Sequence, residues 1–353
     1  MGGNLISTMR GINAPIIYLA WSPNNKVLAA TTVTTHSGYL WNIDGSLIVT
    51  LKTNSNSFSP LKWSPNGQYF AVNAESNDRV DIYRADGSIF TSINRDATYV
   101  RDKVWSPDSK FLAVNASESI KIANIENNSL KVKAFDKTLI EAIGWSGNSK
   151  LVIAYSVDNY ITILSNDVVS MTSFRIKDEV HSTPRLFTSS ANNIIGFSYK
   201  SDRSNLSKDN SLLTLYKFDE TIFKTIKTIN RFERFTGLTR YYYTKNDLAW
   251  SPDGKILATT NFEAVNFFDI EGNALATAHT KASDGINEVV WSPNGNFLVV
   301  GDEKSYWLLR PDGQILGIFN GDKKTTLNAV VKWSSDNKYV LFLTGDNLQI
   351  WKL

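Results

Sequence analysis

The sequence predicts an all-β protein built from eight copies of one four-stranded antiparallel sheet. Three observations predict this fold: a Trp-Ser-Pro tripeptide that recurs about every 42 residues, four short apolar runs in each interval, and Gly-containing turns between those runs. The chain has 353 residues, of which 42% are hydrophobic and 20% charged, so it is long and apolar enough to bury a sizeable core.

The tripeptide or a close variant marks seven units. The gaps between successive Trp residues are 42, 42, 40, 105, 41 and 42 residues. The gap of 105 has room for one more unit, and Phe187 divides it into 42 and 63, which predicts a degenerate eighth copy. The marking residues are Trp21, Trp63, Trp105, Trp145, Trp250, Trp291 and Trp333.

Turns separate four apolar runs within each unit. The first run ends at the Trp and leads into a turn such as Pro252-Asp253-Gly254, where Gly takes a positive φ without strain. A second run follows, then a third that usually ends in an aromatic residue such as Phe268. Asp44-Gly45 and its equivalents form a tight turn to the fourth run, which is a strong hairpin signal. Four short strands per repeat are typical of one blade of a β-propeller, so we predict an eight-bladed propeller.

The two ends of the sequence predict how the ring closes. Residues 2–9 match residues 44–51 at an offset of 42, which makes the N-terminal segment a fourth strand without a blade. The last unit stops after its third strand at Trp351. We therefore expect residues 4–10 to pair with the last blade, residues 330–353, because an open propeller leaves unpaired edges. The alternative is that Gly2 and Gly3 are a cloning remnant.

The composition excludes several classes of site. Without Cys there is no disulfide, thiol nucleophile, zinc ribbon or iron–sulfur cluster. Lys and Arg exceed Asp and Glu by 37 − 34 = 3, which indicates neither a broadly basic nor a broadly acidic protein. No apolar run reaches the roughly 18 residues of a membrane span, and no secretory signal is present. We expect an intracellular protein, cytoplasmic or nuclear, with no membrane, metal or cofactor partner.

The pattern Trp-Ser-Pro-Asp-Gly at 250–254, followed by Leu257-Ala258 and an aromatic-ended strand, resembles WD40-repeat β-propellers. The resemblance covers nearly the whole chain and implies one domain, residues 1–353. The eight units also show weak similarity to eight-bladed transducin-β-like proteins. Propellers related to TolB are the alternative family.

The sequence departs from the WD40 pattern at several positions. The family's Gly-His pair before each first strand is absent, and the third-strand Trp stands only at Trp41 and Trp351. The buried Asp–His–Ser–Trp network that the resemblance implies therefore cannot form. Packing between blades must supply more of the stability.

Two insertions distinguish the degenerate unit, at about residues 200–210 and 230–245. The resemblance places both on the face where second strands lead to third strands and fourth strands lead to the next blade. The second insertion mixes basic and aromatic residues, which recognition hot spots favour, so we expect it to bind a protein or peptide partner. Its candidate residues are Arg231, Phe232, Arg234, Phe235, Arg240, Tyr241, Tyr242, Tyr243 and Lys245.

This second insertion has two alternative interpretations. One is single-stranded nucleic-acid binding, because bases stack on aromatic side chains in a basic groove. The other is purely structural: the three Tyr begin a long first strand and the two Phe hold the loop against the blade.

The rim of the central channel is another candidate surface for a partner. The resemblance places its residues four before and twelve after each Trp position, and Arg101 is suited to bind an acidic side chain through bidentate hydrogen bonds. The alternative is that these are ordinary solvated loop positions. The candidates at these offsets are Arg101, Glu141, Asn246, Asn287, Glu75, Phe262 and Glu303, and Tyr99, two residues before Arg101, is added to them.

Catalysis has little support in the sequence. The three His fall in different units without metal-ligand spacing, and no P-loop, nucleophile elbow or zinc-protease motif is present. Carboxylates near the first-strand starts leave a propeller hydrolase as an alternative, and they are Asp102, Glu141, Asp247 and Glu288. The predicted function is a non-catalytic scaffold, monomeric on its own, that binds a protein or peptide partner on the insertion-bearing face.

Overall fold

The protein is represented by a computed structural model. It describes residues 16–32, 37–52, 61–74, 79–94, 100, 102–135, 138–176, 185–189, 194–200, 209–219, 222–233, 248–260, 264–282, 286, 288–302, 305–320, 330–344 and 347–352. These residues form β-strands and connecting turns, and no helix occurs among them. The predicted all-β architecture is confirmed.

The strands of these residues form eight antiparallel sheets, and neighbouring strands in a sheet are consecutive in the chain. Seven sheets have four strands and the last has three, which confirms the predicted four-stranded repeat. The first four sheets comprise β1 (Ile16–Trp21), β2 (Val27–Thr32), β3 (Ser37–Asn42) and β4 (Leu47–Lys52); β5 (Lys62–Trp63), β6 (Tyr69–Asn73), β7 (Arg79–Arg84) and β8 (Ile89–Asn94); β9 (Asp102–Trp105), β10 (Phe111–Asn115), β11 (Ser119–Asn124) and β12 (Ser129–Ala134); and β13 (Ile140–Trp145), β14 (Leu151–Ser156), β15 (Tyr160–Ser165) and β16 (Ser170–Arg175). The last four comprise β17 (Arg185–Thr188), β18 (Ile194–Lys200), β19 (Asp209–Asp219) and β20 (Ile222–Glu233); β21 (Leu248–Trp250), β22 (Leu257–Thr260), β23 (Ala264–Phe268) and β24 (Ala274–His279); β25 (Glu288–Trp291), β26 (Leu298–Gly301), β27 (Ser305–Leu309) and β28 (Ile315–Asn320); and β29 (Val330–Trp333), β30 (Tyr339–Thr344) and β31 (Asn347–Lys352).

The described residues divide into two compact units. The first contains the residues up to Arg175 together with Ser334–Tyr339 and residues 350–352. The second contains the described residues of Ile176–Trp333 and Val340–Gln349. Residues 4–10, the predicted closing strand, lie outside the described part of the chain.

A Ser-Asx turn connects the first and second strands of seven sheets. In the third sheet, Ser106 Oγ donates a 2.6 Å hydrogen bond to Asp108 Oδ1 and accepts one of 2.9 Å from the backbone N–H of Phe111. The buried hydroxyl thus donates one hydrogen bond and accepts another, as a polar group removed from water requires. The same Ser-to-Asx hydrogen bond is made by Ser22, Ser64, Ser146, Ser251, Ser292 and Ser334.

Some of these turns also join neighbouring sheets. The backbone N–H of Asp108 donates a 3.0 Å hydrogen bond to Ser149 Oγ in the turn of the fourth sheet. Within the first unit, the backbone N–H of Ser335 donates a 2.7 Å hydrogen bond to Asn25 Oδ1, although 310 residues separate the two. A segment from the end of the chain therefore lies against the first sheet.

First-strand Trp side chains provide a second tie between sheets. The indole Nε1 of Trp105 donates a 2.9 Å hydrogen bond to the carbonyl oxygen of Lys62, the residue before Trp63 in the preceding sheet. The equivalent bond recurs within each unit, from Trp145 to Val104, from Trp291 to Ala249 and from Trp333 to Val290. Apolar side chains pack around these bonds, as in the cluster of Ala71, Ile82, Trp105, Leu112 and Val114 between the second and third sheets.

The fifth sheet contains the degenerate copy, but its register differs from the predicted one by one residue. The backbone N–H of Ser189 donates to the carbonyl of Ile194, as Ser22 does to Val27 in the first sheet. Thr188 therefore occupies the Trp position, and the expectation that Phe187 does so is wrong. The prediction chose Phe187 from its spacing to Trp145, whereas the hydrogen bond between Ser189 and Ile194 sets the register of the strands.

Phe187 has a different role in this sheet. It lies opposite Gly196 of β18. A Cβ atom at Gly196 would lie 1.9 Å from the Phe187 ring, so the ring takes the space that a side chain on β18 would otherwise fill.

Candidate functional site

The fifth sheet carries a hairpin that is longer than the others. Strands β19 and β20 have 11 and 12 residues and pair from Asp219–Ile222 to Asp209–Glu233. Third and fourth strands elsewhere in the described sheets have five or six residues. Five extra residues at a rise of about 3.3 Å each lengthen this hairpin by about 17 Å. Leu213 and Leu215 of β19 are fully buried and anchor it in its sheet.

The hairpin leads directly into the second predicted insertion, residues 230–245, which we call the docking segment. Arg231 and Phe232 lie in β20, opposite Ser211 and Asn210 of β19. The remaining insertion candidates lie outside the described residues, and they are Arg234, Phe235, Arg240, Tyr241, Tyr242, Tyr243 and Lys245.

The predicted rim residues fall mostly outside the described residues as well. The candidates outside the described part of the chain are Tyr99, Arg101, Asn246, Asn287, Glu75, Phe262 and Glu303. Glu141 is described and is partly buried in β13, where the register shifts between Ile140 and Ala142. Such a bulge changes the direction of a side chain at a strand end. Burial, and secondarily the charge of Glu141, raises the pKa of Tyr155, whose hydroxyl donates a 2.5 Å hydrogen bond to Asn159 Oδ1.

A set of three lysines, which we call the lysine seam, lies between the second and third sheets: Lys62, Lys103 and Lys121. Lys103 of β9 and Lys121 of β11 both lie opposite Val114 of β10, so they share one face of the third sheet. Val114 packs with Ala71 of the second sheet, so this face is directed towards that sheet. Lys62 lies opposite Ala71 and therefore faces the third sheet.

Two lysines of the seam donate hydrogen bonds to neutral oxygen atoms. Lys103 is fully buried, and its Nζ donates a 3.0 Å hydrogen bond to Asn73 Oδ1. Lys121 is 3% exposed, and its Nζ donates a 2.6 Å hydrogen bond to the carbonyl oxygen of Asn94. Among the described residues, the facing surfaces of the two sheets contain no carboxylate.

The carboxylate of Asp102, the residue before Lys103 in the chain, acts on the seam together with burial. Burial lowers the pKa of Lys103 to about 7, an effect that Asp102 opposes and the Lys62 charge reinforces. Burial is the largest single influence on Lys62 and disfavours its charged form, but the charges of Asp102 and Tyr18 together outweigh it and raise the pKa of Lys62. Lys103 is thus poised to gain or lose a proton near neutral pH.

A second cluster of charged residues lies in the seventh and eighth sheets. Glu288, at the start of β25, is 8% exposed, and its Oε2 has no hydrogen-bond partner among the described residues. Burial raises the pKa of Glu288 to about 7, although the Lys332 charge and a hydrogen bond from the backbone of Val331 oppose this. Burial, with the charge of Glu288 as a further cause, raises the pKa of Tyr306.

The described part of the structure does not place the four carboxylates of the hydrolase alternative in one cluster. Asp102 and Glu141 belong to the first unit, Glu288 belongs to the second, and Asp247 is not described. No group of three or more potential metal ligands occurs in the described part of the chain. Nor do the described residues include a helix that could span a membrane.

The sequence interpretation missed the lysine seam. Lys103 stands two residues before Trp105, and the corresponding residues of the other Trp-marked units are apolar: Leu19, Leu61, Ile143, Leu248, Val289 and Val331. A comparison of the units with one another would have shown a charged residue at a core position.

Comparison with known proteins identifies the repeat. The family model described as "WD domain, G-beta repeat" matches residues 272–307, which include β24 to β26 and part of β27. The resemblance to WD40-repeat propellers is confirmed. Because the match begins at the fourth strand of one sheet and runs into the third strand of the next, a WD40 repeat here spans two sheets. No curated protein sequence matches this chain.

Several solved structures are similar to most or all of this chain. Sqt1 from Chaetomium thermophilum, bound to the N-terminus of the ribosomal protein L10, is 13% identical with a TM-score of 0.73, and the similarity covers 100% of both chains. A second Sqt1 structure from that organism is 12% identical with a TM-score of 0.72, covering 100% of this chain and 99% of that one. The β-propeller domain of Cps50 (Swd1) from Myceliophteria thermophila is 14% identical with a TM-score of 0.57, covering 85% and 96%. At this identity the similarity establishes the fold.

Proposed function

We propose that this protein is a non-catalytic, intracellular scaffold that binds a protein or peptide partner through the β19–β20 hairpin and the segment that follows it. The observation that carries the proposal is the hairpin itself. It is roughly twice as long as its counterparts, it is anchored by buried Leu213 and Leu215, and it leads into a basic and aromatic segment. Rigid elements that present Arg and aromatic residues are effective recognition surfaces.

The eight-bladed ring is part of this proposal. Eight consecutive sheets in the described residues support the count, and the hydrogen bond between Ser335 and Asn25 supports a meeting of the last and first blades. The last sheet has three strands, so residues 4–10 are the fourth strand that we propose for it.

The charge of the docking segment indicates the chemistry of the partner. Residues 230–245 contain four Lys or Arg and one Asp or Glu, a net charge of 4 − 1 = +3, which equals the net charge of the whole chain. An acidic protein surface or peptide is therefore the partner that this segment favours. The Sqt1 structure bound to the N-terminus of ribosomal protein L10 provides a precedent for a protein ligand on this fold.

The test replaces residues 234–245 with a short Gly-Ser linker and compares the proteins that parent and variant capture from the source lysate. We expect the variant to fold and to lose specific partners that the parent retains. A matched variant shortened at residues 201–208 controls for loop deletion in the same sheet. Retention of all the same partners by the 234–245 variant would contradict the assignment.

The salt dependence of binding distinguishes the nucleic-acid alternative from binding of a protein partner. A single-stranded oligonucleotide held by the docking segment would dissociate steeply as salt rises, because phosphate contacts release counterions. Salt-sensitive oligonucleotide binding that disappears in the 234–245 variant, with no protein partner lost, would favour that alternative.

A further inference from the structure

We infer that the outer edge of β20 binds an acidic partner segment in extended conformation, as an added strand of the fifth sheet. The inference rests on the proposed function and specifies the binding mode and the charge pattern of the partner. β20 is the terminal strand of its sheet, and among the described residues no strand pairs with its other side. The backbone N–H and C=O groups along a terminal strand can pair with a further strand.

The edge of β20 is longer than that of any other fourth strand in the described sheets. β20 has 12 residues, whereas those strands have six. Its register with β19 shifts once, between Leu215 and Tyr216, and then continues without a further shift as far as Glu233. The regular part of this edge, residues 227–233, spans about 23 Å at a rise of about 3.3 Å per residue, which is long enough for a stable added strand.

The register shift places three basic residues of β20 on one face of the sheet, and we call them the basic row: Lys224, Lys227 and Arg231. The residues opposite them in β19 lie two and four positions apart and therefore share a face, and they are Lys217, Leu215 and Ser211. Without the extra residue of the bulge, Lys224 and Lys227 would lie on opposite faces, because three positions separate them. The bulge thus brings the three positive charges into one line along the edge.

Strand β19 places no acidic residue directly opposite the basic row. One of the three opposing residues is Lys217, which is exposed and lies opposite Lys224, and like charges at such positions are unfavourable. The carboxylates of this face lie at the ends of the hairpin, with Asp219 at one end and Asp209 opposite Glu233 at the other. An acidic strand on the outer side of β20 would therefore bring negative charge to positions that β19 does not supply with it.

The register also specifies the sequence pattern of the partner. A strand added beside β20 has acidic residues opposite Lys227 and Arg231 and an apolar residue opposite Ile229, which lies between them on the same face. The partner pattern is therefore acidic-x-apolar-x-acidic. Pairs of opposite charge and of apolar residues across neighbouring strands stabilise such a sheet.

The test measures binding of a fluorescent seven-residue peptide to the full chain by anisotropy. The peptide has Glu at its second and sixth positions, Val at its fourth and Thr elsewhere. We expect the parent to bind it, and the double variant Lys227→Glu with Arg231→Glu to bind it roughly tenfold more weakly, because two attractive cross-strand pairs become repulsive. The double variant should instead bind a peptide in which Lys replaces both Glu, which also shows that it is folded.

A matched control makes the same charge change on another fourth strand. Lys131→Glu with Lys133→Glu alters β12, which has six residues and whose Lys131 already forms an ion pair with Asp167. This variant should bind the Glu peptide as the parent does.

Two further peptides test whether the bound segment uses its backbone. In an antiparallel ladder, the residues that exchange hydrogen bonds with one neighbouring strand alternate along the chain. N-methylation of one alternate set of peptide amides should therefore abolish binding, while methylation of the other set should leave it. Attraction between charges alone predicts equal effects of the two patterns.

Three outcomes would overturn the inference: no binding of the Glu peptide by the parent, equal binding by the Lys227 and Arg231 double variant, or equal effects of the two methylation patterns. The first is what we expect if the basic row only prevents this edge from pairing with another copy of the chain. Tighter binding of a single-stranded oligothymidylate, with the same dependence on Lys227 and Arg231, would overturn the choice of a peptide strand.

Failure of this inference is distinguishable from failure of the proposed function. The 234–245 variant keeps β20, so its peptide binding should equal that of the parent. Loss of captured partners in that variant, with no peptide binding by either chain, would leave the docking segment in place and reject only the added strand. Peptide binding by both chains, with every captured partner retained, would reject the docking segment and leave the added strand.

Discussion

The indole Nε1 of Trp145 lies 2.9 Å from the carbonyl oxygen of Val104, the residue that precedes the corresponding Trp of the neighbouring sheet. This bond ties two sheets at the residue type that marks each repeat. The Trp therefore packs as an apolar side chain between two sheets and also donates a hydrogen bond from one sheet to the other. Phe fills most of the same space but cannot donate.

We expect Trp145→Phe to lower the free energy of unfolding by about 1 kcal/mol for the lost hydrogen bond, with a further loss from the smaller ring. Trp63→Phe is the matched control, because the Nε1 of Trp63 has no hydrogen-bond partner among the described residues. Urea denaturation of both variants measures the difference. Equal losses would show that the hydrogen bond contributes nothing.

Gly196→Ala should destabilise the fifth sheet by about 1–3 kcal/mol, because its Cβ would lie 1.9 Å from the Phe187 ring. The double variant Gly196→Ala with Phe187→Leu removes the ring and should regain part of the loss. Thermal unfolding of the single and double variants tests this. A single variant as stable as the parent would contradict the close packing of Phe187 on Gly196.

Glu288→Gln should change how stability depends on pH. The folded-state pKa of Glu288 is raised from 4.5 to about 7, so the folded protein holds a proton that the unfolded chain has lost between these values. Its contribution is fully present below pH 4.5 and is lost as the pH rises through about 7, a change of about 3 kcal/mol for a buried group. The Gln variant should not show this loss of stability as the pH rises. Parallel unfolding curves for parent and variant from pH 4.5 to 8 would contradict the prediction.

Asp253→Asn should reduce sensitivity to acid. The hydrogen bond from Ser251, with that from the backbone of Lys255, lowers the pKa of Asp253, so its stabilising contribution is present above the unfolded pKa and is lost as the pH falls through the folded one. Asn at this position keeps the hydrogen bonds, as Asn66 does in the second sheet. Because Asp253 is largely exposed, the effect should be small. Urea midpoints at pH 7 and pH 3 should differ less in the variant than in the parent.

The repeat, its four strands and its turns were predictable because their signals are local. Pro252-Asp253-Gly254 and Asp44-Gly45 specify turn geometry over a few residues, and Gly254 and Gly45 indeed have φ values of 69° and 88°. The alternation of apolar runs between such turns leaves few other folds.

The features that join different sheets were not predictable in the same way. The bond from Trp105 to the Lys62 carbonyl depends on how two sheets pack, which composition does not specify. The Trp position in the fifth sheet fell on Thr188 because a backbone hydrogen bond, and not residue type, sets its register. Lys103 was detectable only by aligning the units with one another, since a lysine before Trp105 otherwise suggests an exposed strand end.

The contact between Ser335 and Asn25 has a consequence for protein synthesis. Ribosomes add about 5–20 residues per second, so the 310 residues between these two take about 15–60 s to translate. Sheets at the N-terminal end emerge and pair long before the segment Ser334–Tyr339 of the same unit has been made. The surface that this segment covers is exposed to chaperones and proteases of the nascent chain throughout that interval.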